Sequence, residues 1–381
     1  FTSLLAGGGA GGASGSGGAG GGGLTVPGGN ITTYTVGFDA SWELDVFGGV
    51  RRSVEAAQDH AEQAVWASRD TEVTVAAEVA NDYLTVRALQ RQISVLRDEI
   101  ARQEATLSLV SARHQFGFVT ELDVRQQRAQ LASAKSSLPG LHAQMLAQIH
   151  ALGVLLGEQP EVLEAEFTVA KPLSPQPPGV PVGLPSDLLR RRPDIRAAER
   201  ALAASNAQIG VAVADLYPKF NLTGAFDLVS VDLKHLLEGS SRQYNSAGAI
   251  SWPIFAGGKI RANIRAAKEE NLQALYAYQK AVSGALQDVE DALTRYADEQ
   301  KTNLALRDTL TEAQGAAEVA LGQYRAGLID FNPVLTAQGT VLNTQNQLVQ
   351  SDGMLARDLV SLYKALGGGW LGSGPAVAAA N

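Results

Sequence analysis

The sequence lacks cysteine in all of its 381 residues, which excludes disulfide bonds, thiolate catalysis and cysteine metal sites. Aromatic residues make up only 6% of a chain that is 45% apolar and rich in alanine, a balance typical of long, closely packed helices. It has no run of about 18 apolar residues, so no transmembrane helix is expected, although barrel strands leave a much weaker signal. The net charge of -8 argues against nucleic acid as a partner, because phosphate neutralisation needs clustered lysine and arginine.

The residue types that carry catalysis or bind metals form no recognisable constellation. The five histidines show no metal-ligand spacing with one another. Residues 255–259 resemble a phosphate-binding loop, but Ile260 follows the lysine where that motif requires serine or threonine. No nucleophile and base can be paired. The sequence therefore predicts a protein that is not an enzyme and has no catalytic, cofactor or metal site.

An internal repeat organises the chain. Adding 210 to a residue number in the first half gives a matching residue in the second half, without a gap, from Gly48 and Gly258 to Gly157 and Gly367. Chance matches would not keep register over that length. Two copies of one structural unit are the economical interpretation.

Each copy is expected to contain a strand, a glycine turn, a long helix, a short turn and a returning helix. The long helices are predicted from stretches without proline that are rich in good helix formers, and they would reach roughly 100 Å. The bounds predicted for the strand and the two helices are 33–47, 51–115 and 121–156 in the first copy, and 244–255, 260–325 and 333–366 in the second. A proline-rich linker, 172–185, separates the copies.

Pro193 opens a further predicted helix, with Asp194 in its first turn and an expected end near Leu216. By repeat symmetry, a helix should also precede the first strand of the first copy. We therefore expect that an N-terminal helical region, and any targeting signal, is missing from this sequence.

Small residues on the first long helix recur at alternating spacings of three and four, which is a coiled-coil pattern. They predict a close seam between helices, although an ordinary long coiled coil is an equally good interpretation of these helices alone. The seam residues are Val54, Ala57, Ala61, Ala64, Ser68 and Thr71.

Two segments alternate strictly between apolar and polar side chains, 33–46 and 219–228; the pattern is weaker in the strand that ends at Trp252 and weakest near 1–9. One apolar face and one polar face suit a water-filled barrel in lipid. Alternation alone favours a half-buried strand of a soluble sheet. Aromatic residues near the strand ends match the belts of a membrane interface; they are Tyr34, Trp42, Tyr244 and Trp252.

The number of strands constrains the membrane interpretation. Four predicted strands cannot close a barrel, because about eight are the usual minimum, and open edges are not tolerated in lipid. Strands in a membrane would therefore have to be pooled from several chains. The glycine-rich stretch 7–29 would then be an external loop, and 231–242 the matching loop of the second copy.

Several motifs, in the same order, make the chain resemble the TolC-like outer-membrane factors, and within them the branch of NodT-type efflux lipoproteins. The resemblance covers nearly the whole chain. The motifs are WELDVFG at 42–48, GLPSDLLRRRPDIRAAE at 183–199, NAQIG at 206–210, YPKF at 217–220, WPIFAGG at 252–258 and LYKALGGGW at 362–370.

This resemblance implies a mainly α fold with a small β part: two tandem repeats of strands plus long coiled-coil helices, assembled as a homotrimeric β-barrel and α-barrel channel. It implies a place in the outer membrane of a Gram-negative bacterium, with a helical extension into the periplasm. The implied function is passive export of drugs or other toxic compounds, with a periplasmic adaptor and an inner-membrane pump as partners. The alternatives are the duct of a type I protein secretion system, and a periplasmic coiled-coil adaptor or scaffold without a barrel.

The domains expected from the repeat and the resemblance follow the chain in order. They are 1–47, the first strand pair with its external loop; 48–157, the first-repeat helices; 158–216, the linker and an equatorial helix; 217–256, the second strand pair; 257–367, the second-repeat helices; and 368–381, a C-terminal tail.

In the resembling family the helix-turn-helix tips form the periplasmic gate, and here those turns contain Gly117 and Gly327. Asp123 matches a gate aspartate of the family and Tyr324 the tyrosine that holds it. A hydroxyl–carboxylate bond is weak enough to break when an adaptor docks. An acid near Thr120 at a helix N-terminus explains Asp123 equally well.

The sequence also departs from the family pattern at the second tip. Pro333 and Thr336 stand where relatives often carry aspartate, and Ile329 stands where some carry arginine. The acidic constriction ring of the gate is therefore open to question. The N-terminal cysteine through which many NodT-type relatives are lipid-anchored is not in this sequence.

Overall fold

The computed structural model describes residues 33–159, 162–167, 169, 171 and 191–368. These residues fold into two units, a small sheet and a larger helical unit. Within the described residues the sheet unit takes in 33–46 and 218–252, and the helical unit takes in the rest.

Three antiparallel strands form the sheet, in the order β1-β2-β3. They are β1 (Tyr34–Leu44), β2 (Lys219–Ser230) and β3 (Arg242–Ser251). The predictions for β1 and β2 are close, but the predicted end of β3 at Phe255 is wrong. The strand stops at Ser251 because Pro253, two residues on, has no N–H to donate to a sheet ladder.

The strand register brings the apolar residues of all three strands onto one face. Because side chains alternate along a strand, a register shifted by one residue would have mixed the two faces. The apolar pairs include Val36 with Leu228, Phe38 with Phe226, Trp42 with Leu222, Phe226 with Tyr244, and Phe220 with Ile250.

A short connection with two 3-10 turns, Leu233–His235 and Gly239–Ser241, joins β2 to β3. The Asp232 carboxylate accepts a hydrogen bond from the backbone N–H of Lys234 at 3.1 Å, and the Ser241 hydroxyl donates to the carbonyl of His235 at 2.7 Å. The segment predicted as the second external loop, 231–242, therefore has internal hydrogen bonds, and its external position stays a prediction.

The helical unit contains two helical hairpins of equal dimensions. They consist of α1 (Gly49–Gln115) with α2 (Glu121–Leu155), and α5 (Lys259–Arg325) with α6 (Phe331–Ala365). The long helices both have 67 residues and the returning helices both have 35, as the repeat predicts. Among the described residues, two shorter helices lie between the hairpins in the sequence, α3 (Glu164–Phe167) and α4 (Pro193–Ala214). Among the described residues, no helix has an apolar stretch long enough to cross a bilayer.

Each long helix ends at a glycine in the left-handed region, Gly117 with φ 78° and Gly327 with φ 76°. At both ends the glycine N–H donates to the carbonyl three residues before it, and the next N–H donates to the carbonyl five residues before it. This Schellman arrangement satisfies carbonyls at the helix end and favours glycine, because other residues rarely adopt that conformation. The two predicted hairpin turns therefore have the same backbone conformation.

The predicted seam on α1 is wrong for contacts within one chain, because all six of its residues are exposed. Helix α4 instead packs beside a neighbouring face of α1. Arg200 of α4 makes an ion pair with Asp59 at 3.3 Å, and the Arg196 guanidinium lies 5.8 Å from the centre of the Trp66 ring. Ala56, Asp59 and Trp66 repeat the same alternating spacing, so spacing alone does not identify the face that meets a neighbour.

Candidate functional site

The apolar face of the sheet is exposed in the part of the chain that the structure describes. Every residue of β1 and β3 is exposed, and several large apolar side chains are mostly exposed, among them Phe38 at 81%, Tyr244 at 76% and Trp42 at 63%. The four aromatic residues predicted for the lipid face all lie within two residues of a strand end. A contiguous apolar surface of this kind marks an interaction site with lipid or with another chain.

The opposite face of the sheet carries charge. Asp39, Glu43, Lys219 and Asp227 all alternate with the apolar residues of their strands. Gly37 lies opposite Asp227, and a Cβ atom placed on it would come within 1.9 Å of the Asp227 carboxylate. A side chain at position 37 would therefore clash with the Asp227 carboxylate in its observed position, whereas glycine does not.

The strand lengths match a membrane crossing. The three strands have 11, 12 and 10 residues, and about 9–11 residues are needed for a tilted strand to span a bilayer. Each edge strand presents a row of backbone groups that no described strand pairs with. Such edges need a further strand before they can lie in lipid.

The two hairpin tips share one apolar core. Its buried residues come from all four long and returning helices: Val110, Val124, Tyr324, Phe331 and Val334. The rings of Tyr324 and Phe331 are 5.1 Å apart. The tips containing Gly117 and Gly327 are therefore packed against each other within one chain.

The hydrogen bond predicted between Asp123 and Tyr324 is not made. The Asp123 carboxylate accepts instead from the backbone N–H and the hydroxyl of Thr120, both at 2.9 Å. The Tyr324 hydroxyl is buried and has no hydrogen-bond partner in the part of the chain that the structure describes. Asp123 thus occupies the helix-capping position that was its alternative explanation.

The electrostatic environment still relates these two side chains. Burial raises the pKa of the Tyr324 phenol above its ordinary value of 10.0, the charge of Asp123 adds to that rise, and Arg113 opposes it. The structure therefore places Asp123 near Tyr324 without a bond between them. Their role as a gate stays a prediction.

Sequence reasoning missed two features of the tips. Four apolar side chains there are largely exposed, namely Phe116, Phe118, Leu122 and Leu328; phenylalanines on both sides of Gly117 were the available signal. It also missed Arg113, which contacts the other hairpin through the carbonyls of Tyr324 and Arg325. No sequence pattern distinguishes this arginine from its neighbours.

The arginine-rich motif before α4 has a structural role. The Arg192 guanidinium bonds both oxygens of Asp194, at 3.0 and 2.7 Å. It also reaches Asp288 of α5 at 3.0 Å and the carbonyl of Ala365 at the end of α6 at 3.1 Å. One side chain thereby joins the start of α4 to the second hairpin. Among the described residues, no group of histidine, aspartate and glutamate side chains is arranged to hold a metal ion.

A sheet with an uncovered apolar face and a charged opposite face, joined in one chain to two long helical hairpins, defines a class of membrane channel subunits. A family model described as "Outer membrane efflux protein" matches residues 3–158 and 184–368. The chain belongs to this family. The family and fold class predicted from the sequence are therefore confirmed.

Curated relatives agree with this assignment. The chain is 33% identical over 340 residues to the toluene efflux pump outer membrane protein TtgF of Pseudomonas putida, covering 88% of this chain and 70% of the relative. It is 32% identical over 347 residues to the outer membrane protein OprJ of Pseudomonas aeruginosa, covering 89% and 71%.

Solved structures agree as well. The outer-membrane channel OprN matches with a TM-score of 0.83 and 31% identity, over 89% of this chain and 81% of that one. The open state of the MtrE channel of Neisseria gonorrhoeae matches with a TM-score of 0.81 and 32% identity, over 90% and 78%. The chain is thus an outer-membrane efflux channel of a Gram-negative bacterium.

Proposed function

We propose that this chain is one of three identical subunits that together form a passive exit duct for toxic small molecules, without enzymatic activity. The observation that carries the proposal is the uncovered apolar face of the sheet, with Phe38 and Tyr244 among its most exposed residues. Lipid on that face would cover it. The charged face that carries Asp39 and Asp227 would then line water.

The edges of the sheet support pooling of strands between chains. Within the described residues β1 and β3 each have one open edge, and the weak strand predicted near 1–9 lies outside those residues. Three chains with four strands each would exceed the roughly eight strands that a small barrel needs. The proposal keeps the predicted division of the chain, with the strand pairs in the membrane and the helices in the periplasm.

The exposed small residues of α1 support packing between copies. No element among the described residues covers the stripe formed by Val54, Ala57, Ala61, Ala64, Ser68 and Thr71. Small residues at alternating spacings of three and four let a second helix approach closely. In the proposed trimer this stripe meets a helix of the neighbouring subunit.

The cargo and partners are proposed from the relatives. One relative is named as part of a toluene efflux pump, which favours small apolar or toxic compounds over secreted proteins as cargo. A periplasmic adaptor and an inner-membrane pump would complete the machine. A periplasmic scaffold without a membrane part is disfavoured, because it would leave Trp42 and Tyr244 in water.

The hairpin tips would form the closed end of the duct. The apolar core around Tyr324 and Phe331 holds the two tips of a chain together, and the exposed Phe116 and Leu328 are available to neighbours. Asp123 and Tyr324 lie in this region, and we keep them as gate residues. In this proposal they act through the packing of the tip rather than through a bond to each other.

The substitution Trp42→Arg tests the face assignment. An arginine on the lipid side costs about 2–4 kcal/mol near the bilayer middle and less toward the interfaces, and Trp42 lies two residues from the end of β1, so we expect reduced recovery of folded oligomer from outer-membrane fractions. Ser41→Arg is the matched control, because Ser41 lies next to Trp42 on the opposite face. Equal recovery of the two variants would mean that lipid does not contact the apolar face.

A further inference from the structure

The last turn of α1 carries an arginine that reaches the other hairpin. The Arg113 Nη1 atom donates to the backbone carbonyl of Tyr324 at 2.5 Å and to that of Arg325 at 3.2 Å. Both carbonyls lie at the C-terminal end of α5, where the helix dipole is negative; the Tyr324 carbonyl also accepts from the Gly327 N–H at 2.9 Å. The Arg113 guanidinium donates hydrogen bonds to these carbonyls, and its positive charge is favoured at the negative end of the helix dipole.

The same guanidinium also contacts the aromatic ring beneath it. Its central carbon lies 4.7 Å from the centre of the Tyr324 ring, within the range of a cation–π interaction. A Cβ atom on Gly327 would lie 3.8 Å from the Arg113 Nη2 atom, so the side chain also passes close to the second tip turn. Arg113 therefore holds the helix end, the ring and the turn of the second tip.

The repeat does not preserve the two residues that make this connection. The repeat partner of Arg113 in the second hairpin is Gln323, and the repeat partner of Tyr324 in the first is His114. His114 contacts its own tip, with Nδ1 at 3.0 Å from the carbonyl of Val119. Arg113 of the first tip therefore contacts the second tip, and no equivalent arginine stands in the second hairpin at the matching position.

We propose that Arg113 is a positioning residue that couples the two tips of one chain and keeps them from separating while the duct is closed. The coupling rests on the proposed role of the tips as the gate. It assigns to Arg113 the connection between hairpins that the Asp123–Tyr324 pair does not make. The apolar core brings the tips together, and Arg113 fixes their relative position, because its planar group bonds carbonyls and stacks on a ring in one geometry only.

Distances between spin labels on the two tips test this coupling directly. The chain has no cysteine, so Phe116→Cys and Leu328→Cys place labels at two exposed tip positions only. Labelled protein is diluted with unlabelled protein in the reconstituted channel, so that distances within one chain dominate. We expect Arg113→Gln to raise the population with separated tips roughly tenfold, the weight of a charge-assisted hydrogen bond.

Two variants make the result specific. Arg128→Gln removes the same charge from an exposed position of α2 and should leave the distance distribution unchanged. Arg113→Lys keeps the charge and one donor but loses the planar stacking, and should give an intermediate width. Equal distributions for Arg113→Gln and Arg128→Gln would overturn the proposal, as would full separation in the lysine variant.

Conductance of the same samples in planar bilayers separates this proposal from the gate function. Wider tip distances with higher conductance support both. Wider distances with unchanged conductance support the coupling and remove the gate role from the tips. Higher conductance in Arg113→Gln without wider distances would overturn the coupling, because the arginine would then act on the duct in another way.

Discussion

The two helical hairpins have the same lengths and the same tip turns, yet they differ in polarity at one matching level of their interiors. Ile93 and Leu141 of the first hairpin correspond, 210 residues on, to Asn303 and Ser351 of the second. Ile93 and Asn303 are both buried. The same backbone arrangement therefore accommodates apolar buried side chains in one hairpin and polar ones in the other.

The polar side chains around Asn303 are tolerated in the second hairpin because they form hydrogen bonds with one another. The Asn303 amide donates to the Ser351 hydroxyl at 3.1 Å and to the Asp352 carboxylate at 2.8 Å. Arg307 donates to the side-chain amide oxygen of Asn303 at 2.8 Å and to the Asp352 carboxylate at 2.9 Å. The Ser351 hydroxyl donates to the Glu299 carboxylate at 2.5 Å. A buried polar network of this kind is stable only when its members are satisfied. The first hairpin has no such set at the matching positions, where Leu89, Ile93 and Leu141 stand.

The largest expected effect comes from moving one polar residue into the apolar level of the first hairpin that contains Ile93. Ile93→Asn would bury an amide without the partners that Asn303 has, and would lose the packing of a side chain that is 5% exposed. We expect the free energy of unfolding to fall by about 4 kcal/mol. Circular dichroism of the detergent-solubilised protein during heating measures the loss.

Ile93→Val is the control, with an expected loss of about 1 kcal/mol. If Ile93→Asn cost no more than Ile93→Val, the first hairpin would contain polar partners or water at this level. The difference between the two hairpins would then be one of composition only.

The returning helices differ in a second way, because α2 contains Pro139 where α6 has the buried Val349. A proline inside a helix removes one backbone hydrogen bond and crowds the preceding turn. The bond that Pro139 cannot make would go to the carbonyl of Lys135, whereas the hydroxyls of Ser136 and Ser137 donate to the carbonyl of Ser133 and so do not replace it.

Restoring the residue of the second hairpin should therefore stabilise the first. We expect Pro139→Val to raise the free energy of unfolding by about 1–3 kcal/mol, the cost of a proline in a helix interior. Thermal unfolding of the same preparation measures this change in stability, and Leu138→Val, at the position before Pro139, is the control. A destabilised Pro139→Val protein would show that neighbouring elements are shaped around a bend at this point.

The parts of this molecule that followed from the sequence are those set by local chemistry. The 210-residue repeat, the proline-free stretches and the glycines at 117 and 327 placed both hairpins within a few residues of their observed bounds. The alternation in 33–46 placed the apolar face correctly, because a strand has only two faces. The family motifs then gave the fold class.

The parts that did not follow depend on which surfaces meet. Helix α1 offers several faces with equivalent spacing, and the face with Ala56 and Trp66 packs beside α4 where Val54 and Ala57 were expected. At the tip, Asp123 had two possible partners, and the nearer one, Thr120, holds it. Choices between equivalent faces or partners are decided by tertiary packing, which spacing does not encode.

The smallest expected effect compares the starts of the two returning helices. Asp123 accepts two hydrogen bonds from Thr120 at the start of α2, whereas Asp330, before α6, makes no side-chain capping bond. We expect Asp123→Ala to lower the free energy of unfolding by about 1 kcal/mol, and Asp330→Ala to change it by a few tenths at most. Thermal unfolding of the two variants checks the difference.

Conductance of the same variants decides whether Asp123 is more than a cap. Thr120→Ala removes the hydroxyl from the cap but leaves the carboxylate near Tyr324, whereas Asp123→Ala removes both the cap and the charge. A gate role predicts that Asp123→Ala raises the conductance of the closed channel while Thr120→Ala does not. If the two variants conduct alike, Asp123 contributes to the tip only by starting α2, because loss of the carboxylate would then add nothing to loss of the cap.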